Sequence, residues 1–169
     1  AYDTAVRVSG AQIIEIGDAD ETLESELEGR ISEQTAAVFY FASSLYRRGS
    51  LSLEQTIEIA GKHGVPVVVD AAAQLPPREN LWRFTEAGAD MVIFSGGKTL
   101  CGPQDSGILV GKKKWIDRCI RFGAPEHGVC RVSKTSREAM AGLYTALENY
   151  MAADEREGAE LGFPFPPAS

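Results

Sequence analysis

Cysteine is scarce in this 169-residue sequence: Cys101, Cys119 and Cys130 are odd in number and show no CxxC spacing. A disulfide scaffold is therefore not expected, and reduced thiols in a cytoplasmic setting are. Histidine is scarcer still, with only His63 and His127. No His, Cys or Asp spacing resembles a ligand set, so no metal is expected. Long apolar runs of membrane-span length are absent, and the opening residues Ala1, Tyr2, Asp3 and Thr4 do not read as a signal peptide. Membrane association is accordingly not expected. Positive charge is in deficit, with 17 Lys and Arg against 24 Asp and Glu and a net charge of −7. That balance argues against general nucleic-acid binding, which normally uses a basic surface, but leaves room for a local basic pocket. There is no internal repeat.

What is present is an ordinary globular composition, 44% apolar and 24% charged, long enough for one domain with a real core. Short apolar runs alternate with segments of helical spacing. Residues 12–16 are a strand candidate, 21–30 a helix, and 35–42 a buried strand. Ser52 and Gln55 have capping-box spacing and open a helix that carries Leu53, Ile57 and Ala60 and stops at Gly64. A strand over 65–70 follows, then Pro76 and Pro77, then a helix through Leu81, Phe84 and Ala87. Further strands are expected over 91–94 and 106–110, an amphipathic helix over 112–122, and a long helix over 133–153. The proline-rich end, with Pro164, Pro166 and Pro167, cannot be helix. Strand–helix alternation of this kind predicts an α/β fold of three layers, a mostly parallel sheet flanked by helices.

Two of the apolar runs end in chemistry. Val67, Val68 and Val69 lead to Asp70, while Met91, Val92, Ile93 and Phe94 lead to Ser95, Gly96, Gly97, Lys98 and Thr99. With a helix between them, the two strands are expected to lie parallel. Ligands bind such sheets at the carboxyl ends of the strands, where Asp70 and Lys98 fall. An amine there can condense with an aldehyde, and a carboxylate can hold a ring nitrogen protonated; together they suit pyridoxal 5'-phosphate (PLP). The blander readings are a solvated loop lysine and an aspartate that caps the next turn. Finding Lys98, Ser95, two glycines and Asp70 together favours the functional reading of both. Gly97, Lys98 and Thr99 also match the end of a Walker A motif, but that motif needs glycine at 92, where valine stands.

The Ser95 hydroxyl and the N–H groups of Gly96 and Gly97 are candidates for holding a phosphate. Thr99 is equally a candidate and a plain turn residue. Gln74 either reaches a cofactor oxygen or caps a helix. Arg131, Lys134 and Arg137 recur every three residues at the expected start of the last helix. Such a cluster suits a substrate carboxylate or phosphate, and solvated surface charge is an equal reading. His63 reads as a solvated helix end and His127 as a loop residue.

Taken in order, the residues from Val67 to Asp70, then Gln74, Pro76 and Pro77, Gly88 to Asp90, Phe94 to Lys98, Gly102, Pro103 and Gln104, and Gly107 to Gly111 resemble fold-type-I PLP enzymes. Within them the likeness is to the branch of selenocysteine synthase (L-seryl-tRNA selenium transferase) and D-glucosaminate-6-phosphate ammonia-lyase. Arg131, Lys134 and Arg137 fit that pattern, with Arg137 where lysine is more usual. The resemblance implies that Lys98 forms the Schiff base, Asp70 pairs with the pyridine nitrogen and Ser95 helps hold the phosphate. It implies a homo-oligomer, a small-molecule amino substrate, and a partial large domain over 1–153 followed by a poorly ordered or extended tail over 154–169. The activity it implies is PLP-dependent elimination or replacement on an amino acid or amino sugar acid, with Lys98 catalytic. Seryl-tRNA-dependent chemistry, and a truncated domain serving only as an assembly partner, stand as alternatives.

Overall fold

The computed structural model describes residues 3–18, 20–43 and 49–153. The tail expected over 154–169 lies outside the described residues. Helix α1 (Asp3–Val8) and helix α2 (Glu24–Arg30) precede strand β1 (Val38–Phe41). Then follow α3 (Leu53–Lys62), β2 (Val67–Asp70), α4 (Asn80–Glu86), β3 (Met91–Ser95) and β4 (Gly107–Gly111). Helix α5 (Lys113–Phe122), a 3-10 turn (Val129–Ser133) and α6 (Arg137–Ala152) complete the order. Among the described residues no helix is long and apolar enough to cross a membrane.

The strands form one sheet in the order β1-β2-β3-β4, parallel from β1 to β3, with β4 antiparallel. Parallel neighbours need a crossover, and α3 and α4 supply the two. The capping box at the start of α3 forms as its spacing predicts. Ser52 Oγ accepts the Gln55 N–H at 3.1 Å, and Gln55 Oε1 accepts the Ser52 N–H at 2.8 Å.

Register partners share a sheet face, so the pairings divide the strand residues into two sets. One face carries Val38 and Tyr40, Val67 and Val69, Val92 and Phe94, and Ile108 and Val110. It packs with Leu53 and Ala60 of α3, Phe84 of α4, and Leu143, Leu147 and Tyr150 of α6. Val67, Val69, Val92 and Phe94 are its most enclosed side chains, each contributing about 1.5–3 kcal/mol on burial. The other face carries Phe39, Phe41, Asp70, Met91, Ile93, Ser95 and Leu109. Helix α5 supplies the layer there, with Cys119 Sγ 3.8 Å from Met91 Sδ. Phe39, Phe41 and Leu109 on this face remain exposed.

Two expectations change and one helix is added. Residues 12–16 form no strand, because none of the sheet's strands pairs with them. Helix α1 carries no capping or periodic signal strong enough to read in advance. The last helix begins at Arg137 rather than near 133, because Ser136 is its N-cap and accepts the Ala139 N–H at 3.0 Å.

Candidate functional site

Asp70 closes β2 and Ser95 closes β3, and in parallel neighbours those ends share one edge of the sheet. Asp70 is in register with Ile93 on one side and Phe41 on the other. Ser95 follows Ile93 by two positions and so lies on Asp70's face. Because β4 doubles back, with Ser95 opposite Gly107, the whole link over 96–106 stays at this edge, Lys98 included. The topology thus brings Asp70, Gln74, Ser95, Gly96, Gly97 and Lys98 to one rim.

The lysine turn is anchored through its backbone. The Gly102 N–H donates to the Gly96 carbonyl at 2.8 Å, and the Cys101 N–H to the Lys98 carbonyl at 2.8 Å. Gln104 Nε2 donates to the Gly97 carbonyl at 2.8 Å. The Thr99 hydroxyl donates to the Leu75 carbonyl at 2.7 Å. Leu100 is buried in the core. Cys101 adopts φ 55°, a left-handed conformation that side chains other than glycine seldom take, and it tightens the turn. Lys98 itself is exposed, and its ammonium has no ion-pair or hydrogen-bond partner among the described residues.

The two glycines have a steric role. A Cβ at 96 would lie 2.1 Å from Ser106 Oγ and 2.9 Å from Leu143 Cδ1. At 97 it would lie 2.7 Å from Gln104 Cα. The Gly96 N–H, expected as a phosphate donor, is instead committed to the Ser106 carbonyl at 2.9 Å, since the hairpin's pairing continues one residue past β3. The Thr99 hydroxyl proton is likewise committed to Leu75.

Asp70 is half-buried, and its Oδ1 accepts the Ala72 N–H at 3.0 Å. The carboxylate therefore does hold the following turn, as its capping reading requires, through only one of its oxygens. Phe41 and Ile93 flank it with apolar surface. Gln74 serves that turn through its backbone: its N–H donates to the Ala71 carbonyl at 3.0 Å, and its carbonyl accepts Asn80 Nδ2 at 2.6 Å.

Arg131 and Lys134 do not sit in the last helix. Arg131 belongs to the 3-10 turn and donates through Nη1 to the Pro125 carbonyl at 2.9 Å. Lys134 follows that turn and is exposed, leaving Arg137 alone at the start of α6. His63 caps the end of α3 with Nε2 3.7 Å from Glu28 Oε1, and His127 is exposed.

Sequence reasoning missed Asp90, at the opposite edge. Its Oδ2 accepts the Val67 N–H at 3.0 Å, and its Oδ1 accepts Trp115 Nε1 at 3.1 Å and faces Lys112 Nζ at 3.0 Å. Burial pushes this carboxyl up, but the Val67 N–H, the Lys112 ammonium and the Trp115 N–H outweigh it and hold it below the usual carboxylate range. Only an aspartate immediately before an apolar run hinted at this. Two surface hollows, one around Asp90 and Trp115 and one around Glu15 and Arg30, include neither Asp70 nor Lys98. Among the described residues no three His, Cys, Asp or Glu side chains group to hold a metal.

The chain is similar to several known proteins. The D-glucosaminate-6-phosphate ammonia lyase of Salmonella typhimurium is 38% identical over 148 residues, covering 87% of this chain and 38% of that protein. The L-seryl-tRNA(Sec) selenium transferase of Alkaliphilus metalliredigens is 31% identical over 159 residues, covering 86% of this chain and 33% of that one. The solved structure of a D-glucosaminate-6-phosphate ammonia-lyase superposes with a TM-score of 0.81 at 36% identity, over 95% of this chain and 42% of that chain. The chain therefore spans well under half the length of the relatives it matches. The family model described as "SelA: L-seryl-tRNA selenium transferase" matches residues 3–161, and with that match over nearly the whole sequence, the chain belongs to the L-seryl-tRNA selenium transferase family.

Proposed function

We propose that this chain is part of a PLP-dependent enzyme that eliminates or replaces a group on an amino acid or amino sugar acid. The observation that carries the reading is the placement of Asp70 and Lys98 at one rim of two neighbouring parallel strands, with the Lys98 ammonium unengaged among the described residues. The donor chemistry fits the cofactor. Lys98 offers an amine for the aldehyde, and Asp70 offers an oxygen for the ring N–H between apolar Phe41 and Ile93. Ser95 and Gly97 offer donors for the phosphate.

When bound, PLP supplies a carbonyl for the substrate amine and a ring that takes up negative charge. Lys98 would hold the cofactor through its amine, and its Nζ would carry the substrate's α-proton. Asp70 would hold a proton on the ring nitrogen, which would keep the ring an effective electron acceptor. Arg131 and Lys134 bind the substrate's carboxylate or phosphate by charge. We further propose a homo-oligomer in the cytoplasm acting on a small amino substrate.

Similarity to the ammonia lyases favours elimination. A second reading, replacement on a seryl-tRNA, is supported by the family's printed name and by the selenium transferase relative; the net charge of −7 favours the first. The test is to add PLP to the purified chain, reduce with borohydride and map the adduct by mass spectrometry. A stable label on Lys98 is expected. A folded chain with no label, or with label scattered over surface lysines, would sink the proposal and favour a purely structural role in assembly.

A further inference from the structure

The rim carries two turns, one after β2 with Asp70 and one after β3 with Lys98. Each is well tied within itself. Asp70 Oδ1 accepts the Ala72 N–H, the Gln74 N–H donates to the Ala71 carbonyl, and the Gln74 carbonyl accepts Asn80 Nδ2. On the other side, Cys101 and Gly102 close the lysine turn. A direct side-chain link between the two is the Thr99 hydroxyl, which donates to the Leu75 carbonyl at 2.7 Å. Thr99 is half-buried and is the immediate neighbour of Lys98, and buried Leu100 anchors the next position.

We infer that Thr99 is a positioning residue: its hydroxyl sets the distance between the Lys98 turn and the Asp70 turn, so that amine and carboxylate meet one cofactor ring together. The inference rests on the reading of Lys98 and Asp70 as the cofactor pair. A tether at the adjacent residue restrains the lysine backbone while its exposed side chain stays free to swing. Losing it leaves the Leu75 carbonyl without this partner and loosens the lysine turn against residues 72–75, while the Ala71 N–H still donates to the Ile93 carbonyl at 2.9 Å.

The test uses the 169-residue chain with T99S, which keeps the hydroxyl, and T99V and T99A, which remove it. Two readouts are taken: borohydride-fixed PLP on Lys98 relative to all other lysines, and amide hydrogen exchange over 71–75 and 96–102 without cofactor. T99S is expected to match the parent. T99V and T99A are expected to bind PLP at Lys98 about three- to tenfold more weakly, with faster exchange in both turns and unchanged exchange in β2 and β3. If T99V and T99A label Lys98 and exchange like the parent, the inference is wrong while the cofactor reading survives. If the parent itself takes no label on Lys98, the cofactor reading fails, and the positioning role toward a cofactor fails with it. Unfolding of both T99V and T99A would make Thr99 a residue of general stability and overturn its assignment.

Discussion

The Asp90 carboxylate accepts the Val67 backbone N–H at 3.0 Å, so the residue just before β3 holds the first residue of β2. The same side chain receives Trp115 and Lys112 from the start of α5, binding two strands and a helix at one point. Asp90→Asn is expected to cost about 1–3 kcal/mol in urea unfolding at neutral pH, because a half-buried acceptor loses its charge and its ion pair.

Asp90 also sets an acid limit. Its carboxyl titrates below its ordinary value, so its contribution is fully present above the unfolded aspartate value of about 3.9. It is lost as pH falls through the lower folded value. The parent should therefore lose stability on acidification in that range, and the Asp90→Asn chain should show a shallower loss there. Parallel acid limbs in urea midpoints measured from pH 5 to pH 2 would refute this.

Gly96→Ala is expected to be harmful on steric grounds. The added carbon would meet Ser106 Oγ at 2.1 Å and Leu143 Cδ1 at 2.9 Å, so β4 or α6 must give way. A loss of about 1–3 kcal/mol is expected for such overpacking, read as a lower melting temperature, together with weaker PLP labelling of Lys98.

Lys98→Ala should separate chemistry from stability. The side chain is exposed and without a partner among the described residues, so unfolding should change by no more than about 0.5 kcal/mol. The borohydride adduct should vanish. Asp70→Asn should retain the Ala72 turn but bind PLP about 10- to 100-fold more weakly, the worth of a charge-assisted hydrogen bond, measured by absorbance titration.

Ser52→Ala should lower stability by about 1 kcal/mol by removing the cap of α3. Gln55 would keep its second contact, Nε2 to Glu24 Oε1 at 2.7 Å, which ties α3 to α2. A loss near zero in thermal unfolding would mean that water replaces the cap.

Local chemistry was the readable part. The Ser52 and Gln55 cap and the apolar strands that lead into Asp70 and Ser95 follow from short-range patterns. The start of α6 differs from the expected one because Ser133 and Ser136 both offer a cap, and the 3-10 turn over Val129–Ser133 uses up the first. The commitment of the Gly96 N–H to Ser106, the Thr99 tether and the Asp90 hub join positions far apart in the chain. No spacing rule reports them, because their partners are chosen by topology.

The reversal of β4 has a consequence for how this rim can diversify. A hairpin returns the polypeptide to the side it left from, but Gly96 and Gly97, the Thr99 tether and buried Leu100 lie within it, so a change between Ser95 and Gly107 leaves both flanking strands in place only where it spares those contacts. Room for change is therefore confined to the positions of that excursion whose side chains carry no such contact, above a frame that stays as it is.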